Sequence, residues 1–182
     1  MSVIGFVGLP GSGKSEAAAV ADELGIPVVT MGDVIRAECR ERGCDPATDH
    51  GQVAQALREE NGPGAIAERS LPIIEDHLEN ADTVVVDGIR SEVEVDRFED
   101  SFGDSFTLVS IEAPFELRAT RLEDRGRDAG AAEGGEALRD RDERELDFGM
   151  GDAMEGADVT VENTDSLEAF HEEIREILGG EP

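Results

Sequence analysis

Tryptophan and tyrosine are absent from this 182-residue chain, phenylalanine occurs seven times, and lysine occurs once. Each scarcity closes off a class of function. Without Trp or Tyr there is no array of aromatic platforms on which the bases of a single strand could stack. The two cysteines, Cys39 and Cys44, lack CxxC spacing and have no histidine pair beside them, so neither a metal site nor a disulfide framework is supported, and they read as packing or surface thiols. No apolar run approaches ~18 residues and no charged-then-apolar leader opens the chain, which predicts a soluble, cytoplasmic protein. Positive charge is scarce too: 16 Lys plus Arg face 44 Asp plus Glu, a net charge of −28. A surface this anionic argues against nucleic acid as a partner.

The acids are spread along the whole chain rather than gathered in a tail. Their mutual repulsion opposes compaction in dilute buffer, whereas at molar salt the screening length falls to about 3 Å and most of the penalty disappears. Acid-rich, lysine-poor composition resembles that of cytoplasmic proteins of halophilic archaea. The length fits one domain with a sizeable core, a single sheet and one cleft.

The one lysine has a defined place. Gly8-Leu9-Pro10-Gly11-Ser12-Gly13-Lys14-Ser15 has the GxxxxGKS spacing of a phosphate-binding P-loop. An ammonium is a compact point charge that reaches into a phosphate cradle where a guanidinium fork is too broad, so Lys14 stands where arginine does not serve. The glycines let successive N–H groups turn toward phosphate oxygens at the positive end of a helix, and Ser15 is placed to hold Mg2+. The flanks agree: SVIGFV before the loop reads as a buried strand and EAAAVADEL after it as a helix. A flexible glycine turn with a chance lysine would not bring both flanks.

Further strands are expected at Pro27–Met31, Asp82–Asp87, Phe106–Glu112 and Ala157–Glu162. Helices are expected at Val34–Arg42, Gln52–Glu60, Ala65–Leu78 and Ser91–Asp100, from Pro114, at Ala137–Phe148, and after Asp165 and Glu168 in capping positions. Residues 43–49 read as a turn, and 124–136, rich in Gly, Ala, Asp and Glu, as a mobile insertion. This βαβ order implies an α/β fold with a parallel sheet, helices on both faces, and ligands at the carboxyl ends of the strands.

Asp87 ends the valine run DTVVVD at that edge, where it is either a turn residue or a carboxylate orienting magnesium and its waters. Seven of the fifteen arginines fall between positions 118 and 144. Arg118, Arg121 and Arg125 share a helix face by their i, i+3, i+7 spacing. They form either a solvated face paired with interleaved acids or a set of donors for the charge of phosphoryl transfer. His50, His77 and His171 sit on polar or helical surface patterns and read as solvated or packed.

Together, GLPGSGKS, MGDVIR at 31–36, VVVDGIRS at 84–91, RLEDRGR at 121–127, RDRDEREL at 139–146 and ADVTVEN before the last helix resemble the nucleotide kinases of the P-loop superfamily. These include adenylate kinase and dephospho-CoA kinase, and the likeness is greatest to an archaeal, halophilic branch. The resemblance spans nearly the whole chain. It implies a three-layer fold with a five-stranded parallel sheet, a single domain over 1–182 with a helical acceptor-side insertion near 32–80, and an arginine-rich lid near 121–147.

It implies ATP and Mg2+ as cofactors, bound by Gly8 to Ser15 with Arg118, and by Ser15 with Asp87, respectively. Lys14, Asp33, Arg121 and Arg125 are then catalytic, and Asp33, Arg36, Arg90, Arg141 and Arg144 hold a small phosphorylated acceptor. MGDVIR and DGIR are more like adenylate kinase, ADVTVEN more like dephospho-CoA kinase. A hydroxyl acceptor needs Asp33 as a base, whereas a nucleotide phosphate does not. Two further readings stay open: an ATP-driven switch acting on a protein or ribonucleoprotein, and a nucleotide-binding module without turnover. Guanine recognition of the NKxD type is excluded, because no second lysine exists to build it.

Overall fold

The apolar runs pair side by side in a computed structural model that describes residues 1–129 and 135–179, with the side chains of 125–129 and 135–137 left aside. Strands β1 (Ser2–Val7), β2 (Val28–Thr30), β3 (Thr83–Asp87), β4 (Phe106–Glu112) and β5 (Val159–Glu162) form one sheet in the order β2-β3-β1-β4-β5. Every neighbouring pair is parallel. The helices are α1 (Lys14–Glu23), α2 (Met31–Glu41), α3 (Pro46–Asn61), α4 (Ala65–Leu78), α5 (Glu92–Phe102), α6 (Phe115–Ala129), α7 (Gly135–Phe148), α8 (Met150–Glu155) and α9 (Leu167–Ile177).

Alternation along the strands divides the core in two. Val3 and Val7 of β1, Val84 and Val86 of β3, and Phe106 and Leu108 of β4 pack with α2, α3, α4, α5 and α8. Ile4 and Phe6, Val85, and Val109 and Ile111 face the other way, against α1 and α9. Each such side chain contributes about 1.5–3 kcal/mol on burial, so a one-residue slip of any inner strand would be prohibitive. The result is the three-layer α/β architecture. No helix among the described residues is long and apolar enough to cross a membrane.

Several boundaries differ from the sequence expectation for local reasons. Helix α2 starts at Met31, directly after β2, so Gly32 and Asp33 lie in its first turn, where Asp33 complements the helix dipole. Helix α3 starts at Pro46, inside the stretch read as a turn: Asp45 caps it by accepting from the Ala47 N–H, and proline suits the first helical position. Ser166, rather than Asp165, caps α9 through the Ala169 N–H. Regular helix runs through Ala129 and resumes at Gly135, so 124–129 and 135–136 are helical where no helix was expected, and 130–134 lie outside the described residues. Cys39 is buried and Cys44 half-buried beside it. Burial pushes the Cys39 thiol above its usual range, as suits a packing residue.

Candidate active site

The turn from β1 into α1 is built around glycines with left-handed backbone. Gly13 has φ +122° and caps α1 without any side chain, and a Cβ there would collide with the Asn163 side-chain amide. Any larger residue would therefore push the loop off the helix end whose N–H groups form an anion site. Lys14 leads α1, and its ammonium donates to the Gly8 carbonyl and, at 3.4 Å, to that of Leu9. Burial lowers its pKa, opposed by the nearby carboxylates of Asp87 and Glu145. A cation so poorly solvated is poised for an anion at the loop.

Asp87 ends β3 between Phe6 of β1 and Thr30 of β2, so the sheet register puts it beside the strand that feeds the loop. Its Oδ1 is buried without a hydrogen-bond partner, as is the Ser12 Oγ. Buried acceptors of this kind are costly unless something fills them. Ser15, Lys14 and Asp87 line one cleft of about 390 Å³ with Gly8, Gly11 and Gly13. No group of three or more His, Cys, Asp or Glu that could hold a metal ion occurs among the described residues. The hydroxyl of Ser15 and the carboxylate of Asp87 on the same cleft are oxygen donors of the kind that suit magnesium.

Arg36 from α2, Arg90 from the turn after β3, and Arg141 from α7 line the same cleft. Arg144 lines an adjoining cavity. Asp33 stands elsewhere: it is exposed and its Oδ1 accepts from both Nε and Nη2 of Arg36, at 2.8 and 2.6 Å.

Arg118 is buried, 4% exposed, and its guanidinium binds the carboxylate of Asp142 in bidentate fashion at 2.8 and 2.7 Å as well as the carbonyls of Ala113 and Pro10. It fastens α6 to α7 and to the P-loop, and it does not line the cleft. Arg121 donates to the Asn163 carbonyl at 2.9 Å and to the Ser12 carbonyl at 3.4 Å. The Arg125 side chain lies outside the described residues.

Four cleft residues escaped the sequence reading. His50, read there as solvated or packed, lines the cleft, and its Nε2 is buried without a partner. His171 has a partner after all, Glu16 at 3.3 Å. Arg58 lines the cleft from α3, and Glu145 from α7, where it accepts from Arg90 at 3.1 Å. Glu94 is fully buried, accepts the Arg90 N–H at 2.9 Å and pairs with Arg58 at 3.4 Å. Burial pushes its carboxyl up, against the Arg90 N–H and Arg58. A signal for Glu94 did exist, since Ser91-x-x-Glu94 is a capping-box pattern.

Residues 7–139 match the family described as AAA domain. A UPF0200 protein of Halobacterium salinarum is 63% identical over 181 residues, covering 100% of this chain and 94% of the relative. The chain belongs to the UPF0200 family. A UPF0200 protein of Methanosarcina mazei is 47% identical, covering 98% of this chain and 94% of its own length. The P-loop of this UPF0200 chain, inside the matched domain, implies nucleotide binding.

Solved structures share the fold at low identity. TT1252 from Thermus thermophilus matches with a TM-score of 0.66 at 21% identity, covering 98% of this chain and 96% of that one. A shikimate kinase from Bacteroides thetaiotaomicron matches at 0.60 and 16%, covering 98% of each chain. A gluconokinase from Sinorhizobium meliloti matches at 0.59 and 19%, covering 98% and 91%. This chain thus has the five-stranded parallel α/β fold typical of P-loop kinases.

Proposed function

We propose that this protein is an ATP-dependent small-molecule kinase that transfers the γ-phosphoryl group to a nucleotide-type acceptor, a nucleoside monophosphate or dephospho-CoA. The observation that carries this reading is a single cleft at the carboxyl edge of the sheet, where Lys14 and Asp87 face Arg36, Arg90 and Arg141. A switch ATPase needs the first pair only, whereas a second, cationic wall suits an anionic acceptor. The folds named shikimate kinase and gluconokinase are compatible with transfer to a small molecule.

An acceptor oxygen bonds to the γ-phosphorus as the bond to the β–γ bridging oxygen breaks, and ADP leaves with that electron pair. Loop amides and Lys14 hold the phosphates, while Arg121 and Arg125 act from the lid on the charge that develops. Ser15 and Asp87 would hold magnesium, which would supply neutralisation of phosphate charge. Arg36, Arg90, Arg141 and Arg144 orient the acceptor. Asp33 serves as base for a hydroxyl acceptor once released from Arg36.

An acceptor panel of AMP, CMP, UMP and dephospho-CoA, with magnesium ATP in molar KCl, tests the proposal. One phosphorylated product with stoichiometric ADP is expected. ADP formed at one rate whatever the acceptor would replace this reading with the ATPase switch acting on a protein or ribonucleoprotein partner.

A further inference from the structure

We propose that the acceptor extends past the cleft into a second chamber, where Arg58, Arg90, Arg141 and Arg144 seat a phosphate group distinct from the oxygen that is phosphorylated. The inference rests on the kinase reading of the cleft and narrows its substrate class. The chamber, about 380 Å³, is lined by those four arginines, Glu145 and Phe148. It shares Arg58, Arg90, Arg141 and Glu145 with the cleft, so one molecule can occupy both. Neither the P-loop nor Asp87 lines it, which places a group seated there off the line of transfer.

Arginine is the first reason for a phosphate. Four guanidinium groups and a single carboxylate, Glu145, line the chamber, in a chain whose net charge is −28. Glu145 holds Arg90 there and the buried Glu94 holds Arg58. A guanidinium has five N–H donors, so forks oriented by these carboxylates keep donors for an incoming anion.

Arg58 supplies the second reason. It reaches in from α3, meets Glu94 only at 3.4 Å, and its Nε is buried without a hydrogen-bond partner. The Phe148 ring, 4.5 Å from the guanidinium carbon, fixes the plane of the fork. Two turns earlier on α3, the Nε2 of His50 is likewise buried and unpartnered on the cleft side. One helix therefore offers two unsatisfied polar atoms along the path of the acceptor, His50 to its body and Arg58 to its distal anion. Forks arriving from α3, the turn after β3 and α7 suit a tetrahedral dianion better than a planar carboxylate.

Calorimetric titration of inorganic phosphate into the whole protein, saturated with magnesium and a non-hydrolysable ATP analogue in molar KCl, tests the chamber. One phosphate-binding event is expected, weakened about tenfold by Arg58→Gln and by Arg144→Gln, since charge-assisted hydrogen bonds are lost. Arg36→Gln, confined to the cleft, should leave it within about twofold. Arg144 is exposed, so its variant carries the test even where Arg58→Gln impairs folding. Phosphate binding that is absent, or that Arg36→Gln weakens as much as Arg144→Gln does, overturns the proposal. The analogue's own isotherm separates the two readings. Analogue binding without phosphate binding removes the chamber alone, and absence of analogue binding removes both.

Discussion

At the scale of single residues, the cleft concentrates groups in unfavourable surroundings. Lys14 is a cation held against carbonyl oxygens in a site that lowers its pKa. Its proposed use is to bind phosphate oxygens, an interaction worth roughly 2 kcal/mol. Lys14→Ala should therefore weaken ATP binding about thirtyfold or more by calorimetry, and unchanged affinity would dissociate the loop from the nucleotide. Glu94 is the mirror case, a carboxylate whose pKa burial raises above 4.5. The folded state then holds its proton more tightly than the unfolded one. Its contribution to stability is complete below about pH 4.5 and is lost as pH rises through the raised value. Urea denaturation across pH should show the parent chain losing stability relative to Glu94→Gln over that window, and a flat difference would mean that burial does not control this carboxyl.

At the scale of elements, the buried Arg118–Asp142 pair joins α6 to α7 and carries the P-loop carbonyl of Pro10 with it. Removing one partner strands the other charge, so Asp142→Ala should cost about 3–5 kcal/mol by urea denaturation, and Arg118→Met combined with Asp142→Leu less than the two single changes summed. Additive costs would show that the two charges stabilise the fold separately. Elements of this kind were readable in part. The valine run of β3 and the glycines of the P-loop announce themselves locally, because strand period and turn conformation depend on neighbours in sequence. Which way an arginine points does not. Arg118, Arg121 and Arg125 share a helical face by spacing, yet Arg118 is fixed by Asp142, 24 residues away, and Arg121 by Asn163, 42 away. His50 and Arg58 were hidden for the same reason: α3 has to fold against α2 and α4 before either can line anything.

At the scale of the whole molecule, a net charge of −28 surrounds a cleft that Arg36, Arg58, Arg90 and Arg141 help to line. Ion pairs such as Arg42 with Glu38 and Glu60, or Arg175 with Glu23, employ some of the cations. They leave most of the 44 acids repelling one another across the surface. That repulsion is long-ranged in dilute buffer and confined to about 3 Å in molar salt, whereas the two packed cores are insensitive to screening. Stability should therefore rise with KCl through relief of surface charge. If several kcal/mol are recovered, the midpoint of thermal unfolding should climb by roughly 10 °C between dilute buffer and molar KCl. Potassium and sodium chloride should act alike if screening is the cause. A midpoint that stays level, or that follows the identity of the cation rather than ionic strength, would mean that the acids are balanced by specific contacts instead.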